Sequence, residues 1–144
     1  MGKWIGKALL EIGVPYAVID YNRKVVHDAL VAKIPAIYGD ASFPEILKAS
    51  GIASAKAIII TLPDRVAQEE IITFCQKENK DVKIMVRAHL DSDMKKLVDM
   101  KVHKIVQPEF EAALAIVKNI LVSSGHSKVE VAKKMKGLRL SHSK

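Results

Sequence analysis

Four short stretches hold the residues whose types and spacing could do chemistry: AVID ending on Asp20, GDAS (39–42), TLPD (61–64) and RAHLD (87–91). Each follows a β-branched run, which is where a parallel α/β sheet gathers its ligand-binding groups. Asp20 stands eighteen positions after Gly2, close to the roughly 20-residue interval between a phosphate-binding glycine and an acid that bonds ribose hydroxyls. A carboxylate there can accept from both vicinal hydroxyls and repels a 2′-phosphate. Asp is equally at home as a helix N-cap. In GDAS, Gly39 lets the backbone approach a flat ring, and Asp40 with Ser42 can bond an adenine edge or simply fix a turn. Thr61 and Leu62 could pass hydroxyl and backbone groups alongside a diphosphate, while Pro63 and Asp64 also suit an ordinary helix start. Arg87 offers a fork of donors to an anion or a carboxylate.

No acid–base pair or nucleophile emerges from the remaining polar residues. His89 has no Ser, Cys or metal-ligand pattern beside it that would give it a catalytic task. His27, His103, His126 and His142 lack ligand spacing and read as surface. The single cysteine, Cys75, rules out an internal disulfide and a cysteine-based metal site, and reads as a buried, inert thiol on a helix.

The elements that must position these residues alternate throughout. Strands are expected at 16–20, 35–39, 55–61, 82–88 and 104–107. Helical patterns lie at 22–33, 43–50, 64–79 and 92–101, with a closing helix from Pro108 that ends before Gly125. In the 22–33 helix, Val25, Val26, Ala29 and Leu30 share a face. In the 64–79 helix the apolar positions are Val66, Ala67, Ile71, Ile72, Phe74 and Cys75. AKAIIIT (55–61) is almost wholly apolar and reads as a strand buried on both faces. Short connections make right-handed crossovers the default, so the order predicts a doubly wound parallel sheet. Hydrophobic residues make up 49% of the chain and aromatics only 5%, a composition suited to such a core.

The net charge of +7 is uneven, because residues 126–144 carry six Lys/Arg against one Glu. That segment has no aromatic residue and reads as a basic linker, tail or unfinished element, which argues against nucleic-acid binding. The expected division is therefore residues 1–125 as one domain and 126–144 as the tail. No apolar run reaches the roughly 18–20 residues needed to span a bilayer, and a soluble, cytoplasmic chain is expected.

Taken in order, VPYAVIDYNRKVV, IYGDAS…EILKASGIASAKAIIITLPD, VKIMVRAHLD and VHKIVQPEFEAALAI resemble the N-terminal lobe of the regulator-of-potassium-conductance domains, also called TrkA-N or KTN domains. The resemblance runs from Gly2 to about Ile120, and LPDRVAQEEI with RAH and QPEFEAAL looks more like the antiporter-linked branch. It implies a Rossmann fold that binds NAD(H) or an adenine nucleotide (ATP, ADP or AMP). The function implied is control of a membrane potassium channel, an uptake system or a K+/H+ antiporter from the inner face of the membrane. By position, Asp20 would hold the adenosine ribose with Tyr21, Asn22 and Arg23 beside it. Asp40 and Ala41, after Gly39, would border the adenine, Thr61 and Leu62 would line the groove, and Arg87 would meet a regulatory anion. A homodimer is implied, with Ala113, Ile116, Val117 and Ile120 on the closing helix as candidate contacts.

Family members place a strand and G-x-G-R-x-G ahead of the first helix, and here only Gly2 matches, as the third glycine. GKWIG itself reads as helix and not as a phosphate loop. This departure predicts a sheet with two free ladder edges and weakened nucleotide binding. Two other functions fit the same fold class: an NAD-dependent oxidoreductase domain, and a dimerisation module that binds no nucleotide.

Overall fold

The computed structural model describes residues 1–142 in two units, Met1–Ile105 and a second from Val106 onward. In the first unit the elements run α1 (Gly2–Glu11), β1 (Val18–Asp20), α2 (Arg23–Val31), β2 (Ala36–Tyr38) and α3 (Pro44–Ala49). A 3-10 turn (Ile52–Ser54) then leads to β3 (Ala57–Ile60), α4 (Arg65–Glu78), β4 (Lys83–Arg87), α5 (Asp91–Asp99) and β5 (Lys104–Val106). The second unit pairs α6 (Pro108–Ser123) with α7 (Lys128–His142).

The strands form two sheets, one ordered β1-β2 and the other β3-β4-β5. β1 pairs parallel with β2, Val18 opposite Ala36 and Asp20 opposite Tyr38. β3 pairs parallel with β4, from Ala57 opposite Lys83 to Ile60 opposite Val86. Each strand is shorter than its apolar run, because the flanking residues turn into the helices on either side.

The first unit's core gathers on the second sheet. Leu47 of α3, Ile60 of β3, Ile71, Ile72 and Cys75 of α4, and Ile84 and Val86 of β4 are all buried together. α4 meets that sheet with Gln68, Ile71, Ile72 and Cys75, the i, i+3, i+4, i+7 stripe of a helix lying on a core. Ile19 of β1 and Ala41 after β2 pack against the same cluster, which joins the smaller sheet to the larger.

Several expectations need correction. β3 is not buried on both faces: Ile60 is 2% exposed, but Ile59 is 39% exposed and Ala57 is also open. The reason is its position, since β4 pairs with one edge and no strand among the described residues pairs with the other. α1 likewise buries no residue fully, and its Trp4 is 72% exposed. In α2 only Val26 and Ala29 are buried, and in α4 Val66 faces outward.

After Gly125 the described residues fold into α7, Lys128–His142. Ser127 and Glu130 form a capping box: the Glu130 carboxylate accepts from the Ser127 N–H at 2.9 Å, and the Ser127 hydroxyl accepts from the Glu130 N–H at 3.3 Å. The Ser127 hydroxyl, which donates to the same carboxylate at 2.8 Å, and then the Ser127 N–H hold the Glu130 carboxyl below its ordinary range. Val131 and Met135 of α7 are buried with Leu114 of α6. His126 and His142 are accordingly half-buried, and the His142 ring stacks on Phe110 with centroids 3.7 Å apart. Ala113, Ile116, Val117 and Ile120 lie exposed on α6.

Cys75 is fully buried in α4, and burial pushes its thiol up to about 11 from 9.0. The proton is held more tightly in the folded chain, so this contribution is intact below pH 9 and is lost as the pH rises towards 11. Urea unfolding across that interval should show wild type losing more stability than Cys75→Ala. Parallel curves would place the thiol in contact with water.

Candidate functional site

The carboxyl ends of β1, β2 and β3 carry the residues singled out from the sequence, each fixed by local backbone chemistry. Asp20 closes β1, where its main-chain carbonyl accepts from the Gly39 N–H at 3.1 Å and so extends the ladder by one rung. Its carboxylate Oδ1 accepts from the Asn22 N–H at 2.8 Å. The helix cap is a different residue: the Asn22 side chain accepts from the N–H groups of Lys24 and Val25, at 2.9 and 3.4 Å. Asp20 is thereby held half-buried at the strand end, with one carboxylate oxygen turning the chain and the other making no hydrogen bond among the described residues. Tyr21 beside it is 73% exposed, and the Arg23 guanidinium lies over the Tyr38 ring at 5.4 Å.

After β2, the Asp40 carboxylate accepts from the Ser42 N–H at 2.9 Å, and its main-chain carbonyl accepts from Phe43. This is the turn reading of GDAS, and it leaves Ala41 packed on the core. Gly39 faces α3: a methyl group there would stand 2.8 Å from Ile46 Cδ1, so packing accounts for the small residue.

At the end of β3, the Thr61 hydroxyl lies 3.2 Å from where a side chain on Gly2 would begin. This brings the start of α1 to the same strand end. Asp64 caps α4, accepting from the Ala67 N–H at 2.7 Å.

Arg87 closes β4, and its guanidinium Nη2 lies 3.4 Å from His89 Nδ1. What holds the ends of β3 and β4 together is a residue the motif reading passed over. Gln68 is 2% exposed, and its amide nitrogen donates to the Leu62 carbonyl at 2.7 Å and the Arg87 carbonyl at 3.0 Å. The signal was present: Gln68 is a polar residue in register with Ile71, Ile72 and Cys75 on an apolar helix face. Two acids of the α4–α5 pair were also missed. Asp93 is 8% exposed, accepts from the Leu90 N–H at 3.2 Å and meets Arg65 at 3.4 Å. Glu69 meets Lys96 at 2.6 Å.

Gly2, Asp20 to Arg23, Gly39 to Ala41, and Thr61 with Leu62 thus lie at the carboxyl ends of the parallel strands of the two sheets. Arg87 sits one strand further on. Parallel strands alternating with helices are the arrangement of a Rossmann-like domain, whose ligands bind outside the carboxyl ends of the strands. Residues 1–108 match the TrkA-N domain, and the chain belongs to that family.

The chain is 28% identical over 113 residues to the putative cation/proton antiporter YbaL of Escherichia coli, covering 78% of this chain and 20% of that protein. It is 26% identical over 133 residues to a glutathione-regulated potassium-efflux system protein of Haemophilus influenzae, covering 92% and 22%. It therefore spans about a fifth of the length of these relatives. Among solved structures, the TrkA-N domain of the Escherichia coli inner membrane protein YbaL superposes with a TM-score of 0.77 at 27% identity, covering 82% of this chain and 87% of that one. A Shewanella denitrificans Kef C-terminal domain in AMP-bound form has the same fold, with a TM-score of 0.69 at 19% identity and coverage of 90% and 92%.

Gln68→Ala should lower stability by roughly 2–3 kcal/mol, because two buried carbonyls lose their donor. The amides next to Leu62 and Arg87 should also exchange faster. A loss below about 0.5 kcal/mol in chemical denaturation would show that water replaces the amide at no cost.

Proposed function

We propose that the chain is a regulatory nucleotide-binding domain, occupied by an adenine nucleotide or NAD(H), that controls a potassium-transporting membrane protein. Of the transport systems the family serves, a cation/proton antiporter fits best, given the YbaL and efflux-system relatives. The observation that carries the reading is Asp20, a half-buried carboxylate at the carboxyl end of β1, with one oxygen fixed by the Asn22 N–H and the other making no hydrogen bond among the described residues. That geometry presents an acceptor to a pair of ribose hydroxyls without any side-chain rearrangement.

The residues around it fit an adenosine. Tyr21 and Arg23 stand beside Asp20, while Asp40 and Ala41 border the neighbouring strand end. Thr61 and Leu62 offer a hydroxyl and main-chain groups to a diphosphate, and Arg87 offers a cation to an anionic effector. The nucleotide supplies no reaction in this role; its binding energy biases the conformation of the attached transporter. Among the described residues no helix is long and apolar enough to cross a membrane. The domain would act from the cytoplasmic face as a homodimer, for which the exposed α6 residues Ile116 and Ile120 supply apolar area.

Titration with AMP, ATP and NADH up to millimolar levels should raise the melting temperature of the full chain, since a ligand of the native state adds stability as its concentration exceeds Kd. Asp20→Ala should weaken the best of these ligands about tenfold to a hundredfold, the worth of hydrogen bonds to a charged group. NADPH should bind less well than NADH, because the carboxylate repels a 2′-phosphate. No stabilisation by any nucleotide would favour a dimerisation module, and an unchanged affinity in Asp20→Ala would remove the ribose assignment.

A further inference from the structure

The pairing of β4 with β5 begins on a side-chain acceptor. In a parallel ladder a residue directs both of its main-chain groups to one neighbour, and the next residue directs both to the other. The Lys83 N–H donates to the Lys56 carbonyl at 3.0 Å, so Lys83 faces β3 and Ile84 faces β5. The Ile84 carbonyl accepts from the His103 N–H at 2.9 Å. A regular ladder would then take the Ile84 N–H to the carbonyl of residue 101. Lys101 instead turns the corner after α5 in the left-handed region, with φ 55°, and its N–H closes back on the Val98 carbonyl at 2.9 Å. The Ile84 N–H goes to the His103 ring, whose Nδ1 accepts at 3.3 Å. One residue thus supplies both halves of the rung, its own N–H and its imidazole.

Ile84 is 1% exposed, so water cannot replace the ring unless the strands part, and a buried N–H left without an acceptor is costly. His103 itself is exposed, and solvent protons reach it. An imidazole nitrogen accepts only while its lone pair is free. A proton on Nδ1 turns the acceptor into a donor and sets two N–H groups against each other. The charged groups beside the ring in the chain and the ladder are Asp81 and Lys83 at the start of β4, Asp99 and Lys101 at the end of α5, and Lys104 on β5. None of them forms an ion pair with His103 among the described residues. α4 reaches the same corner through a neutral residue, Gln76, which donates to the Met100 carbonyl at 2.7 Å.

We infer that His103 is a proton-operated clasp between β4 and β5: its neutral ring closes the ladder at Ile84, and protonation of the ring releases the start of β5. β4 stays in place, because β3 holds its other edge and Gln68 holds the Arg87 carbonyl. The segment that gains freedom is 102–106, which leads into α6 at Pro108. Val102 and Ile105 still pack against the core, so the change is a loosening of one strand and not an unfolding of the sheet. The inference does not depend on nucleotide binding, because it rests on the β4–β5 ladder alone.

The test is NMR of the full chain at about pH 8 and about pH 5, the interval over which imidazoles in general change charge. Ring nitrogen shifts should show the neutral ring protonated at Nε2 and bare at Nδ1. The protection of the Ile84 amide against hydrogen exchange, corrected for the intrinsic rate, should fall about tenfold or more from the higher pH to the lower. The Lys83 amide, bonded to β3, should keep its protection. His103→Asn offers an oxygen at the same δ position that does not titrate, and should keep Ile84 protected at both pH values. His103→Ala should lower that protection at both. A neutral ring with its proton on Nδ1, equal wild-type protection of Ile84 at the two pH values, or the same fall in His103→Asn would overturn the inference. So would unchanged protection in His103→Ala, or a fall at Ile84 matched by Lys83, which would assign the effect to the whole sheet. Should His103→Ala not fold, the ring shifts and His103→Asn decide the question.

Discussion

The fold depends on the requirement that peptide groups inside a sheet find partners. Among the described residues β1, through β2, and β3, through β4, meet it on one side only. Everything distinctive follows from this: Ile59 is partly open in a run that looks fully buried, and α1 lies over the region without burying a residue. The core compensates by concentrating on α4, whose stripe covers β3 and β4 and carries Leu47 and Ile52 at its border. Hydrophobic burial decides the matter, since each fully buried Ile or Leu contributes about 1.5–3 kcal/mol, more than a typical exposed ladder bond.

The same division places the candidate site. Strand ends are where β-branched runs give way to turns, and in parallel α/β sheets ligands bind outside those ends. Asp20 and Asp40 make parallel use of this geometry. Each spends a carboxylate oxygen on an N–H two residues ahead, which stiffens the turn and aims the side chain. Gln68 does the corresponding work beneath the site, tying the last carbonyls of the β3 and β4 ends to one buried amide. A rigid floor with polar groups at its rim suits a binding role in which nothing is consumed.

The alternation of elements was legible because β-branched runs and helical stripes differ in period, and YAVID, AKAIIIT and VKIMVRA each located a strand. Burial was less legible. AKAIIIT reads the same whether a second neighbour is present or not, so the exposure of Ile59 is a tertiary fact. Helix α7 escaped notice because its apolar residues, among them Val129, Val131, Met135 and Leu138, make no clean stripe and its lysines suggested a tail. The capping pair Ser127 and Glu130 was the available sign. At the site, types and spacing found Asp20 and Asp40, but only coordinates could show that Asn22 caps α2 and that Gly39 is small to admit Ile46.

The central claim is that a nucleotide binds where β1, β2 and β3 end. Mapping the amide chemical-shift changes of the full chain on addition of AMP addresses it most directly. The account predicts changes concentrated at Asp20 to Arg23, Gly39 to Ala41, and Thr61 with Leu62, with α7 unaffected. Changes centred elsewhere, or none at millimolar AMP, would contradict it.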